Sequence, residues 1–381
     1  MVKTKLHKNI SSWTVRDISD DSRVLLRVDA NVPMIDGRVS IHGRHRLKSI
    51  LPEINRLRSR GARIVLIAHL GDPKGKFVKS LSLAPVARAL ARVIDHPVRF
   101  IPHPVGEEAA RVIDRMAPGS IVMLENLRFD KGEEKNSADF AKRLAELGDV
   151  YVNNAFSVCH RKHASMVAVT KCLPSFAGEL VVREARALLM VPKHPFVLIL
   201  GGMKISTKIP LIKRLGAHAN AILIGGATAL TMLKADVGSL PVDVPEFTKP
   251  KDVASAKTIA KKFGTKIYLP CDLVVMKNSV LDIGPSTIES FCTAIASGKH
   301  IVWNGPMGMT SREDGFAGTL AIAKAIAKNT KAVSIVGGGE TVECLEEFDL
   351  TDSFTHVSTG GSAMLAFLGG EAMPGLEALA K

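Results

Sequence analysis

Short apolar runs that stop abruptly at polar or glycine-rich turns set the rhythm of this chain. In the first half they fall at 24–28, 64–68, 121–124 and 150–152, and in the second at 196–200, 222–224, 302–303, 333–336 and 357. Predominantly apolar runs of this length predict strands covered on both faces. Between them lie helical patterns at 47–59, closed by Gly61, at 83–94, which is rich in alanine, and at 137–147, closed by Gly148. Strand and helix alternate throughout, so the fold class is α/β, with parallel sheets flanked by helices in a Rossmann-like organisation.

A chain of 381 residues exceeds what one hydrophobic core serves, which predicts two domains of similar size. The predicted division is 1–172, a connecting segment 173–191, a second domain 192–370, and a tail 371–381. Within the connecting segment, 177–190 carries Glu179 and Arg183 four apart and the apolar residues Leu180, Ala185, Leu188 and Leu189, and Pro192 ends it. A helix joining the domains fits this pattern, and so does an ordinary core helix of either one.

The turns after the strands differ between the halves. In the second half they are glycine-rich: Gly201-Gly202, Gly225-Gly226, Asn304-Gly305-Pro306, Gly337-Gly338-Gly339 and Gly360-Gly361. Such turns at the carboxyl edge of a parallel sheet admit close backbone approach and favour anions. Gly201-Gly202 also leads into Lys204 and Lys208, which at helical spacing share one face, the chemistry of a phosphate site. In the first half the turns carry Asp29, Asn31, His69, Arg128, and His160-Arg161-Lys162-His163. The two halves therefore read as two different binding surfaces.

Composition narrows the classes. A net charge of +14 raises nucleic acid as a partner. The basic residues, however, are spread along the chain with no aromatic-interleaved stretch, which favours a basic cleft for small polyanions. No apolar stretch is long enough to span a bilayer, and the start lacks the apolar segment of a signal peptide. The five cysteines lack paired or metal-ligand spacing, so a reduced, cytoplasmic setting is expected. Gly71 to Phe77 has only three residues between its glycines and Phe77 where a hydroxyl belongs, which excludes a nucleotide-hydrolase phosphate loop. The first domain also lacks the dinucleotide fingerprint.

Taken in order, Arg27-Val28-Asp29, His69-Leu70-Gly71, 124–129, His160-Arg161, 201–208, Trp303-Asn304-Gly305-Pro306, 337–341 and Ser358-Thr359-Gly360-Gly361 resemble the phosphoglycerate kinase family over nearly the full length. The resemblance implies a monomeric, hinge-bending enzyme of two lobes joined by a hinge helix. The first lobe would hold 3-phosphoglycerate or 1,3-bisphosphoglycerate and the second ATP or ADP with Mg2+, with the tail packed back on the first lobe.

Carried over residue by residue, Asp29 and Asn31 are expected at the acceptor's hydroxyl and carboxylate end. His69, Arg128 and Arg161 are expected at its phosphate, and Arg46 at the reacting carboxylate, with Arg44 a second candidate nearby. Lys204 is expected to support the phosphoryl group in flight, and Lys208 to bind nucleotide phosphates. Asn304, Gly225, Gly226, Gly337, Gly338, Gly339, Thr341, Gly360 and Gly361 are expected near the nucleotide, and Glu340 at the metal. The chain departs from the family pattern at Asp72, Asn154, Ser311, Glu340 and Ser362. A divergent relative that binds these ligands with little catalysis is the alternative reading.

Overall fold

The computed structural model describes residues 12–14, 16–40, 43–243 and 248–380; the side chain of Arg44 lies outside that description, as does Lys381 at the end of the expected tail. The chain divides into two compact units, Met1–Arg186 with Met373–Lys381, and Ala187–Ala372.

In the first unit, β1 (Arg23–Val28) is followed by a small hairpin of β2 (Met34–Ile35) and β3 (Arg38–Val39), then β4 (Arg63–Ile67), β5 (Val98–Ile101), β6 (Ile121–Leu124), β7 (Val150–Asn154) and β8 (Ser175–Ala177). Six of these form one sheet in the order β5-β6-β4-β1-β7-β8, all parallel. Strand order reverses at β1, which pairs with β4 on one side and β7 on the other, and such a switch point opens a crevice at the carboxyl edge. Val24, Leu26, Ile64 and Leu66 pack with Leu47, Ile50 and Ile54 of the helix Arg44–Arg58 and with Val86 and Leu90 of the helix Ala84–Ile94. Leucine, isoleucine and valine fill this layer because both sheet faces are covered.

The second unit contains β9 (Phe196–Leu200), β10 (Ala221–Ile224), β11 (Ile267–Tyr268), the antiparallel hairpin β12 (Leu273–Met276) and β13 (Ser279–Ile283), β14 (His300–Asn304), β15 (Val333–Gly337) and β16 (His356–Ser358). Its sheet order is β11-β10-β9-β14-β15-β16, again parallel, and the switch point lies between β9 and β14. Val197, Ile199, Ile301, Trp303 and Val336 pack against Phe291, Ile295, Ile322 and Leu345 of the covering helices.

The connecting helix is shorter than its sequence pattern, running Glu179–Leu188, because Ala177 still belongs to β8. The tail returns to the first unit, where the Gly375 amide donates to the Cys159 carbonyl at 2.9 Å and Leu376 and Leu379 are buried. Among the described residues no helix is long and apolar enough to cross a membrane.

Candidate active site

The first unit assembles its candidate residues at the carboxyl ends of four adjacent strands. Asp29 and Asn31 follow β1, His69 follows β4, Arg128 follows β6 and Arg161 follows β7. Asp29 is buried and receives two bonds, from Arg46 Nη1 to its Oδ2 at 3.0 Å and from the Asn31 amide to its Oδ1 at 3.1 Å. Arg46 also donates to the Asn31 carbonyl at 3.2 Å. The Asn31 side-chain oxygen in turn accepts from the Gly71 amide at 2.9 Å, and the Gly71 carbonyl accepts from Arg128 Nη1 at 2.7 Å. One chain of bonds thus links Arg46, Asp29, Asn31 and Arg128. Arg161 is exposed, on the short turn after Phe156–Val158.

Beneath this chain lies Arg27, fully buried inside the apolar strand β1. Its Nη2 donates to His69 Nδ1 at 3.1 Å, its Nε to Ser165 Oγ at 3.1 Å, and its Nη1 to the Val28 carbonyl. Ser165 passes the contact on to buried Glu133 through Oγ at 2.6 Å and its amide at 2.9 Å. A buried cation is tolerable only with such partners.

Arginine has donors alone, so His69 Nδ1 must be the acceptor and the ring proton sits on Nε2. Burial, then Arg27 and Arg128, hold the His69 pKa well below the usual histidine range, and a neutral ring results. Burial likewise lowers His160 to about 4 and His163 to about 3, with the nearby arginines adding to it. This edge therefore combines permanent arginine charge with neutral imidazole rings.

The second unit builds its edge from backbone. The Gly201 amide donates to the Asn304 carbonyl at 3.0 Å, the Gly202 amide to the Pro306 carbonyl at 2.8 Å, and the Gly226 amide to the Met307 carbonyl at 2.7 Å. A Cβ at Gly201 would lie 2.0 Å from the Pro306 carbonyl oxygen. These glycines thus let loops interlock, and their N–H groups are spent on carbonyls of the 304–307 turn rather than aimed at a ligand, contrary to the expectation from sequence. The first turn of the helix Gly339–Glu347 is different: its amides have no partner within the helix, and a Cβ at Gly339 would meet nothing within 4 Å. Gly361, ahead of the helix Ser362–Gly369, faces similarly open space.

Lys204 and Lys208 do not share a helix face. Lys204 is extended and exposed, a 3-10 turn covers Ile205–Thr207, and the α-helix starts only at Ile209, just ahead of Pro210. Lys208 is instead buried and donates to Asn304 Oδ1 across the switch point between β9 and β14. Burial lowers its pKa to about 8, opposed by the charge of Glu340. Asn304 is fixed from its other side by donating to the Gly337 carbonyl at 2.8 Å, and Thr341 Oγ1 accepts from the Gly305 amide at 3.1 Å.

Beside this edge a cavity of about 520 Å³ lies between Gly202, Gly226, Leu230, Leu281, Met307 and Met309, with Ser311 and Glu340 at its rim. That volume suits a nucleoside-sized ligand, and the walls are mostly apolar. Glu340 is an exposed carboxylate in the first turn of its helix, a hard oxygen donor of the kind Mg2+ takes alongside phosphate oxygens. No cluster of three or more metal-ligating side chains occurs among the described residues.

Sequence reasoning gave no role to Arg27, Glu133 or Ser165. The available signal was a charged residue inside an otherwise apolar strand, which requires buried partners.

The chain matches the family described as phosphoglycerate kinase over residues 15–371. The phosphoglycerate kinase of Thermomicrobium roseum is 42% identical over 395 positions, covering 96% of this chain and 98% of that protein. That of Dictyoglomus turgidum is 40% identical with the same coverage. Among solved structures, phosphoglycerate kinase from Pyrococcus horikoshii OT3 superposes with a TM-score of 0.87 at 31% identity, covering 96% of this chain and 98% of that one. The structure of phosphoglycerate kinase from Coxiella burnetii gives 0.80 at 35% identity, covering 97% and 100%.

Proposed function

The chain belongs to the phosphoglycerate kinase family, and from that premise we propose how its two edges divide the reaction, reversible phosphoryl transfer between 1,3-bisphosphoglycerate and ADP. In this reading Asp29 and Asn31 receive the hydroxyl and carboxylate end of 3-phosphoglycerate. Arg128, Arg161 and the Nε2 proton of His69 meet its phosphate, and Arg46 swings from Asp29 to the reacting carboxylate. The second unit takes the nucleotide, with the base in the apolar cavity and the phosphates at Lys208 and at the amides of Gly338, Gly339, Glu340 and Thr341. Gly360 and Gly361 complete that cradle, while Gly226 lines the cavity wall and Gly225 packs on Met307 of the same wall. Glu340 would hold Mg2+ on the phosphates, where the ion supplies charge neutralisation.

The acceptor is a carboxylate, ionised at neutral pH, so no general base is required. The chemistry asked of the protein is to bring two anions together and to neutralise the equatorial oxygens during in-line transfer. Arg46 from the first unit and exposed Lys204 from the second are the cations assigned to the moving phosphoryl group. Water would compete as acceptor, which is why transfer needs closure about the connecting helix. The working form is a monomer in the cytoplasm, in keeping with five cysteines that are all free.

The observation that carries this division is the gathering of Asp29, His69, Arg128 and Arg161 at the ends of four neighbouring parallel strands. The test is incubation with ATP, Mg2+ and 3-phosphoglycerate in the presence of hydroxylamine. The expected result is a trapped acyl hydroxamate that requires both substrates and Mg2+; folded protein with no trapped product refutes it.

A further inference from the structure

Glu53 is a buried carboxylate outside the acceptor edge, on the same helix as Arg46. Its Oε1 accepts from Trp13 Nε1 at 2.6 Å and its Oε2 from the backbone amide of Glu179 at 2.5 Å. Glu179 is the first residue of the connecting helix, and the amide of the second, Leu180, donates to Asn154 Oδ1 at 2.8 Å. Ordinarily the residue before a helix supplies such a cap from its own side chain. Here that residue is Gly178, and any Cβ on it would lie 2.5 Å from Asn154 Oδ1. The first turn is therefore capped from two other elements, one carboxylate from the Arg46 helix and one neutral amide from the end of β7.

We infer that Glu53 is a positioning residue for the transfer reaction, tying the helix that carries Arg46 to the first turn of the connecting helix. This rests on the kinase reading above. Arg46 and Glu53 are seven residues apart, about two helical turns, and so lie on the same side of one helix. The connecting helix leads by chain continuity into the nucleotide-binding unit. A shift of Arg46 on meeting the acceptor is thereby transmitted to the start of that helix. The chemistry of the cap is also specific. Asn154 Nδ2 is buried with no hydrogen-bond partner, so only its oxygen is used, and Glu53 provides the anion that the helix N-terminus favours. A second carboxylate at 154 would add a like charge at the same buried turn, while glutamine at 53 would remove the carboxylate that now caps it, a charge that Asp at 154 would put back.

The test is a double-mutant cycle on the full chain, with Glu53→Gln, Asn154→Asp and the two combined. Caps that accept from adjacent amides of one helix turn couple by roughly 0.5–3 kcal/mol, so each single variant is expected to slow turnover about five- to tenfold with acceptor KM within about twofold, and the pair to return within about threefold of wild type. Purely multiplicative losses overturn the inference. Trp13→Phe removes the other partner of Glu53 and is expected to leave turnover within about twofold, since the tie runs to Glu179; a loss equal to that of Glu53→Gln makes Glu53 a tryptophan latch and overturns it. Hydrogen exchange at Glu179 and Leu180 reads the tie without turnover: Glu53→Gln should speed it and the double variant restore it. Unchanged exchange sinks this inference, whereas a wild type with no turnover sinks the kinase reading instead. Should Glu53→Gln fail to fold, Asn154→Asp alone decides, because wild-type turnover and exchange there also overturn it.

Discussion

In the proposed division of the reaction the two carboxyl edges meet the same demand, holding an anion, by opposite means. The first unit does it with side chains braced by side chains: Arg46 on Asp29, Arg128 on the Gly71 carbonyl, and His69 on buried Arg27. The second does it with interlocked loops, and its buried cation, Lys208, is held on Asn304. Arg46 and Arg128 on the first edge are already partnered, so a ligand that meets them must exchange with internal partners. On the second, shape comes first, and a ligand relieves the cost of a desolvated lysine.

The comparison breaks most visibly at the one cation each edge offers to the moving group. Arg46→Ala and Lys204→Ala are each expected to cut kcat by about 10²–10³-fold, the usual loss for one preorganised donor to a transition-state charge. Steady-state rates in both directions check this, and unchanged turnover in both variants removes the assignment. Next in size is a contrast within the second edge. Gly201→Ala forces a Cβ against the Pro306 carbonyl, where Gly339→Ala enters open space. The first should destabilise the fold by about 3 kcal/mol or more, and the second should stay within about 0.5 kcal/mol by denaturant titration.

A smaller effect is expected at Arg128, to which the proposed division gives an anchoring role rather than a part in the transfer. Removing one charge-assisted contact of roughly 1.5–3 kcal/mol should raise acceptor KM about 10- to 100-fold while kcat changes less than about threefold. Equal losses in both constants would move Arg128 into the transfer step.

The smallest effect is the pH dependence of nucleotide binding. The folded chain holds Lys208 at a pKa of about 8, below its ordinary 10.5. Between those values the unfolded chain keeps a proton that the folded chain lacks, so this group adds stability as pH rises through that window, and at neutral pH its burial cost is fully present. Phosphate should draw the proton back. Nucleotide affinity is then expected to weaken by up to about tenfold per pH unit above pH about 8, with proton uptake on binding. Calorimetry in buffers of different ionisation enthalpy measures that uptake, and its absence at pH 9 removes Lys208 from the phosphate site.

These contrasts also mark what was legible in the sequence. Apolar runs bounded by turns located β1, β4, β6 and β7 of the first sheet and β9, β10, β14, β15 and β16 of the second, since a strand buried on two faces has little freedom in composition, whereas the short, partly exposed edge strands β5, β8 and β11 carried no such run. The glycine turns and the polar turns likewise stand at strand ends. What the sequence did not reveal depends on residues far apart in the chain. Gly201 and Gly202 spend their amides on Asn304 and Pro306, about a hundred positions later, and no local pattern announces that. The helical spacing of Lys204 and Lys208 misled because the backbone between them is a 3-10 turn, leaving one exposed and the other buried. Arg27 looks like an interruption of a strand until His69, Ser165 and Glu133 close around it.

The chain has only two tryptophans, and the fold deals one to each unit. Trp13 is sealed in the first through its bond to Glu53, and Trp303 in the second through a 2.8 Å bond to the Gly305 carbonyl. Each unit thus carries its own intrinsic fluorophore in a dry setting. Exciting the indoles during urea titration of single-tryptophan variants would resolve whether the lobes melt together or in turn.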